Sequence, residues 1–418
     1  MAFRSILPAY GPPPGQLARI VFVATLHFAE ARQCVVDRVA AALTARAVEE
    51  VALDAACGRV LAEGICADRD YPPLARSLRD GFAVRSQDLP GRLRVAGVVR
   101  AGDVSLRELG RGETVEIMTG APVPPGADSV LMLERAPRDG EWIAAPAAPP
   151  GQFIAPPASE ARSGEWLLAA GRRIGPAQIA LLAAIGRTDV RVYCRPRVAV
   201  LSTGDEIVDV SAQPLAHQVR DSNARSLAAQ LRRAGALPVI LPAARDAIES
   251  LRALIERGLA ADLLLVSGGV SAGKYDLVER VLSDLGAEFF FDRVLIRPGQ
   301  PLVFGRVRER FFFGLPGNPA STLVTFEVFA RAAVQLLSGE TDPRLPIALA
   351  RLTADFSHQP GLTRFLPALL TADGAHATPL PWRGSSDIPA LARADAFLVA
   401  RPDRETWKAG DLIEVLRI

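Results

Sequence analysis

Between Arg197 and Leu337 the chain alternates short, wholly apolar runs with amphipathic segments, and this alternation limits the fold more than any other feature. Val198-Ala199-Val200-Leu201 and Leu263–Val266 contain no polar residue, so both faces of each predicted strand must be covered. Helical periods intervene over 224–234, 247–257 and 277–285, with further strands at 238–241, near 288–296 and at 311–314. A long apolar helix is predicted over Ala320–Leu337. Such an order predicts a three-layer, doubly wound α/β domain whose parallel sheet carries helices on both faces.

At 418 residues the chain is too long for one hydrophobic core. From Ala29 to Val60 apolar residues recur at helical spacing, through Val35, Val36, Val39, Leu43 and Val48. Short alternating segments broken by Gly and Pro clusters fill 82–170, including strands at Gly97–Arg100 and Glu113–Met118. Gly175–Gly186 returns to helix, with Ile179, Leu182 and Ile185 on one face, and short strands resume after Asp342-Pro343. The expected parts are an extended lead-in (1–26), an elongated α+β linker domain (27–50 with 159–195), a small β domain (51–158), the α/β domain (196–342) and a C-terminal β domain (343–418).

Composition removes several alternatives. A net charge of +2 over this length leaves no polyanion footprint, which argues against nucleic acid. Cys34, Cys57, Cys66 and Cys194 form no Cys-x-x-Cys pair and have no histidine at zinc spacing, so free thiols in the cytoplasm are expected. The apolar stretch Ile20–Phe28 is far short of the roughly 20 residues that span a bilayer, so no membrane role is expected. Lys274 and Lys408 are the only lysines.

Ligands of open α/β sheets sit beyond the carboxyl ends of the strands, and three polar, glycine-containing loops fall there. The first is Ser202-Thr203-Gly204-Asp205-Glu206. The second runs Ser267-Gly268-Gly269-Val270-Ser271-Ala272-Gly273 and is followed by Asp276. The third is Gly314-Leu315-Pro316-Gly317-Asn318-Pro319-Ala320-Ser321. Taken singly, each reads equally well as a tight turn, Asp205 as a helix cap and Pro319 as a helix start. Taken together, they predict backbone N–H groups open to phosphate. Asp205, Glu206, Asp246 and Asp276 at the same edge make sense if a divalent cation bridges them to that phosphate.

The ordered segments resemble those of the molybdopterin molybdenumtransferase family, homologous to the gephyrin E domain. They are Arg79–Arg85, Ile117–Asp128, Pro196–Glu206, Asp221-Ser222-Asn223, Ser267–Asp276, Arg297-Pro298-Gly299, Leu315–Pro319 and Gly384-Ser385-Ser386. The resemblance implies a molybdopterin-binding α/β domain in a homodimer whose cleft draws on both chains. It also implies insertion of molybdate into adenylylated molybdopterin (molybdopterin-AMP), with release of AMP and with Mg²⁺ as cofactor. A molybdopterin adenylyltransferase is an implied partner. Asp80 and Thr119 would stand on the β-domain side of the cleft, with Glu206, Asp246 and Asp276 as metal ligands. Arg297 and Gln300 would be reaction-site residues. Thr203, Gly204, Asp205, Ser267, Gly268, Gly269, Ser271, Gly273, Pro316, Gly317, Asn318 and Ser385 would bind the pterin nucleotide.

Two departures stand out. Gln300 occupies the place of the lysine in the family's usual Pro-Gly-Lys-Pro, which removes a positive charge. Where the family usually reads Asn-x-Arg-x-x-Gly-Glu-Asp, this chain reads Phe153-Ile154-Ala155-Pro156-Pro157-Ala158-Ser159-Glu160, which predicts an altered backbone path. Arg79 and Phe82 are lesser changes, at places where Met and Tyr are common. The charge losses set up an alternative expectation, a weakened or inactive paralogue that acts as a molybdopterin-binding accessory protein.

Overall fold

The computed structural model describes residues 24–43, 45–103, 107–269 and 277–418. The chain divides into two compact units, one made of the residues up to Ala47 with Cys194–Ile418, the other of Val48–Tyr193.

In the larger unit the apolar runs become neighbouring strands of a seven-stranded sheet. Their order in space is Ala24–Leu26, Glu288–Val294, Pro301–Val307, Arg310–Leu315, Leu263–Ser267, Arg197–Ser202 and Leu237–Ile240. Leu263–Ser267 is buried along its whole length because Arg197–Ser202 and Arg310–Leu315 flank it in parallel. Helices Phe28–Ala42, Ser222–Ala234 and Pro319–Leu337 pack one face, and Ile248–Gly258 with Leu277–Asp284 pack the other.

The sheet is mixed, which corrects the all-parallel expectation: Pro301–Val307 runs antiparallel to both neighbours. It is followed by Arg308-Glu309, both at positive φ (48° and 63°), which form a two-residue primed hairpin turn. Asn or Gly normally signals such a turn, and Arg-Glu gives no such warning, so this strand had no sequence counterpart.

The helical period expected to reach Val60 stops at Ala42. Val48–Ala52 instead pairs antiparallel with Asp189–Tyr193, so Val48 belongs to a ladder rather than to a helix stripe. Ala31, Val35 and Val39, one helical turn apart, are fully buried in the core of the larger unit. The ring of Phe28 lies 5.8 Å from Phe329 and 5.4 Å from Phe365. This first helix therefore packs on the α/β sheet, whereas the sequence reading grouped 27–50 with 159–195. Pro319–Leu337 alone among the described helices is long and apolar enough to cross a bilayer, but 78% of its apolar window is buried in the core. A π-turn, Phe326–Ala330, interrupts it.

Five strands, Ile347–Leu352, Thr363–Leu370, His376–Pro379, Ala396–Ala400 and Leu412–Arg417, close into a C-terminal barrel. Ile296–Arg297 runs parallel to its strand Thr363–Leu370, with Arg297 in register with Arg364. The smaller unit holds a six-stranded half-barrel that includes Gly81–Val84, Gly91–Val99 and Glu113–Ile117. A second core in that unit lies under helix Pro176–Ala184 and contains Ile179, Leu182 and Ile185.

Candidate functional site

The three predicted loops line one cleft of about 1650 Å³ in the larger unit, at the carboxyl ends of Arg197–Ser202, Leu263–Ser267 and Arg310–Leu315. Adjacent parallel strands place the loops side by side, which explains why segments more than 100 residues apart in sequence share a site.

Asn223 ties the loops together. Its side-chain amide donates to Ser267 Oγ at 2.9 Å and to the Gly317 carbonyl at 2.7 Å. The preceding Asp221 caps helix Ser222–Ala234 by accepting from the Ala224 N–H, and the same oxygen accepts from the Ser202 hydroxyl, both at 2.9 Å. On the third loop, the Pro316 carbonyl accepts from Thr322 Oγ1 at 2.5 Å. The Asn318 amide donates to Ser385 Oγ at 2.8 Å, so the Ser385 proton stays free to donate elsewhere.

Gly268 and Gly269 sit at φ 91° and 64°. A Cβ on Gly268 would lie 2.7 Å from the Thr203 carbonyl oxygen, and one on Gly269 would lie 2.8 Å from Val278. Only glycine fits this turn, which packs directly on Thr203. Thr203 Oγ1 is buried and has no hydrogen-bond partner among the described residues.

Asp205, Glu206 and Asp246 gather at the first loop. The Asp246 N–H donates to Asp205 Oδ1 at 3.2 Å. Burial, and then the charges of Asp205 and Glu206, push the Asp246 carboxyl above the usual carboxylate range. Among the described residues no three His, Cys, Asp or Glu side chains converge closely enough to hold a metal unaided. Ser271, Gly273 and Asp276 lie outside the described residues.

Also lining the cleft, Arg297 and Arg364 are register partners. Burial, and then the Arg297 charge, hold the Arg364 guanidinium below its ordinary value, and its Nε is buried without a partner among the described residues. Gln300 also lines the cleft, and its backbone carbonyl accepts from the Val294 N–H at 3.0 Å. Arg364 was missed by the sequence reading. With Thr363 it opens an otherwise apolar strand, and only the pairing with Ile296–Arg297 makes it part of the cleft. Asn223 had a signal, since Asp221-Ser222-Asn223 belongs to the matched segments, but not a role.

In the smaller unit, Asp80 and Thr119 meet. The Thr119 N–H and hydroxyl both donate to Asp80 Oδ1, at 2.7 and 3.0 Å, and hold that carboxyl below its ordinary value. In the divergent segment, Phe153 and Ala158 take φ of 53° and 59°. These are the places of the family's Asn and Gly, residues that favour left-handed backbone.

Comparisons with known proteins agree along the chain. The family model of the MoeA N-terminal region (domain I and II) matches residues 26–186, that of a probable molybdopterin binding domain matches 199–336, and that of the MoeA C-terminal region (domain IV) matches 349–418. A molybdopterin molybdenumtransferase of Bacillus subtilis (strain 168) is 35% identical over 385 residues, which cover 88% of this chain and 90% of the relative. One from Nostoc sp. is 36% identical over 325 residues, 75% of this chain and 74% of the relative. Among solved structures, a molybdopterin biosynthesis MoeA protein from Pyrococcus is 32% identical with a TM-score of 0.71, covering 94% of this chain and 99% of that one. With its sheet, barrel and half-barrel all matched in order, the chain belongs to the MoeA family of molybdopterin molybdenumtransferases.

Proposed function

We propose that the cleft inserts molybdate into adenylylated molybdopterin and releases AMP. The observation that carries this reading is the Arg297–Arg364 pair, two cations in register, neither with an ion-pair partner among the described residues. Guanidinium cannot shed its charge at any physiological pH, so a small oxyanion such as molybdate is the natural counter-charge. The glycine turn at 268–269, Thr203, Gly204 and the Pro316–Asn318 loop then take the nucleotide phosphate through backbone and hydroxyl donors, with Ser385 donating from its side. Arg297 and Arg364 hold the incoming oxyanion, and Gln300 adds a neutral hydrogen bond.

Mg²⁺ fits the first loop. Burial of Asp246 and the neighbouring charges of Asp205 and Glu206 both disfavour its ionised form, and a divalent cation would relieve that penalty. Mg²⁺ needs only one or two carboxylates when substrate phosphate and water complete its shell. Glu206 and Asp246, with Asp276, would hold it. When bound, it would neutralise charge on the leaving phosphate.

As the resemblance implies, Asp80 and Thr119 of one subunit would serve the cleft of the other in a homodimer, in the cytoplasm, with an adenylyltransferase supplying the substrate. The free thiols Cys34, Cys57, Cys66 and Cys194 suit that compartment. Separate apolar clusters for sheet, barrel and the two parts of the smaller unit support a four-part subunit.

Purified protein given molybdopterin-AMP should release AMP only when molybdate is added. An equimolar mixture of Asp80→Ala and Arg364→Ala proteins should recover part of the activity that each lacks alone, if the cleft is shared between subunits. Absence of AMP release with tight pterin binding retained would favour the accessory-protein reading, which the neutral Gln300 in the cleft supports.

A further inference from the structure

We propose that Trp382 is the platform on which the pterin ring of the substrate stacks, an inference that rests on the molybdopterin reading above. Among the described residues that line the cleft, Trp382 is the single aromatic one. The rest of the wall is glycine, proline, hydroxyl, amide, aliphatic and charged side chains, none of which carries an aromatic ring. A pterin nucleotide carries two flat ring systems, pterin and adenine, and each gains from lying against an aromatic face. One aromatic wall serves one of them.

Position decides which. Trp382 is half-buried and packs against both the sheet core and the barrel core, so its ring is held in place from behind. The Leu380 N–H donates to the Pro367 carbonyl at 2.8 Å, which fixes this segment beside the strand that carries Arg364. Trp382 thus lies on a segment that starts beside the strand carrying Arg364 and reaches the third loop only at Ser385. The glycine turns that suit phosphate belong to the strand ends of the sheet. Molybdenum joins the dithiolene carried on the pterin, so the ring nearest the oxyanion pair is the pterin and not the adenine.

Equilibrium dialysis of the full chain with 6-hydroxymethylpterin and, separately, with AMP tests the assignment. Trp382→Leu keeps an apolar bulk against the two cores but removes the π-face, whereas Trp382→Phe keeps a ring. Pterin affinity should fall roughly tenfold in Trp382→Leu and stay within about twofold of wild type in Trp382→Phe, with AMP affinity unchanged in both. Equal pterin affinity in wild type and Trp382→Leu overturns the platform. So does an equal loss of pterin and AMP binding, which would make Trp382 a structural wall. Loss of AMP alone gives the platform to adenine and also overturns the assignment. A wild-type chain that binds AMP but no pterin removes the molybdopterin reading together with the platform.

Discussion

Two groups of arginines in the larger unit differ in what faces them. Arg233 and Arg331 close on Glu327, which sits in the π-turn at 1% exposure. One Glu327 oxygen accepts from Arg233 at 2.5 Å and from Gln230 at 2.8 Å, and Arg331 adds an ion pair at 3.5 Å. Arg297 and Arg364 close on no carboxylate among the described residues. The first group finds a shared counter-charge within the chain and serves the fold. The second leaves positive charge in a cleft, where it costs stability unless an anion arrives from outside.

The largest effect is expected where the counter-charge is internal. Glu327→Ala strands the guanidinium of Arg331 in the core and should lower the unfolding free energy by about 3 kcal/mol in denaturant titration. The loss falls at the low end of the range for buried pairs because Arg233 is 54% exposed and its share is screened. Arg364→Gln should do the opposite: stability unchanged or slightly higher, with molybdate-dependent AMP release down by roughly 100-fold. A loss of stability in Arg364→Gln comparable to that of Glu327→Ala would break the contrast, because it would make the second group structural as well.

Gln300→Lys sharpens the same contrast with a smaller effect. A third cation beside Arg297 and Arg364 should raise turnover several-fold at subsaturating molybdate, since no carboxylate among the described residues pairs with those two arginines. A variant that binds pterin yet remains silent would mean that positive charge is not what limits this chain.

The parts legible in sequence were those in which local pattern and tertiary role coincide. Leu263–Val266 reads as a buried strand because nothing in it tolerates water, and the glycine loops read as strand-end turns because no other residue fits Gly268. The parts that escaped depend on partners distant in sequence. Val48 continues a helical spacing, yet it pairs with Tyr193. Arg364 gains its meaning from Arg297 across a parallel register. The turn at Arg308-Glu309 and the left-handed Phe153 and Ala158 lack the residues that advertise such backbone, so composition concealed them.

A like-charged pair of the other sign gives the smallest test. Glu279, on helix Leu277–Asp284, and Asp292, on strand Glu288–Val294, are both pushed above the usual carboxylate range. Burial is the first cause for each, and the charge of Asp292 adds to it at Glu279. Carboxylates can relieve such repulsion by taking up a proton at attainable pH, whereas guanidinium groups cannot lose one, so only the arginine pair needs an outside ligand. Because the folded-state values are raised, the native chain binds more protons than the unfolded one as pH falls toward them, and acidification through that window stabilises the fold. Glu279→Gln removes the charge permanently. It should raise the thermal midpoint at neutral pH by an amount worth below about 1 kcal/mol, since both groups are only partly buried. That gain should fade as the pH drops through the raised range, where wild type has already neutralised the pair. A gain that stays constant across that range would assign it to packing rather than to charge, and would remove the carboxylate pair as the counterpart of Arg297 and Arg364.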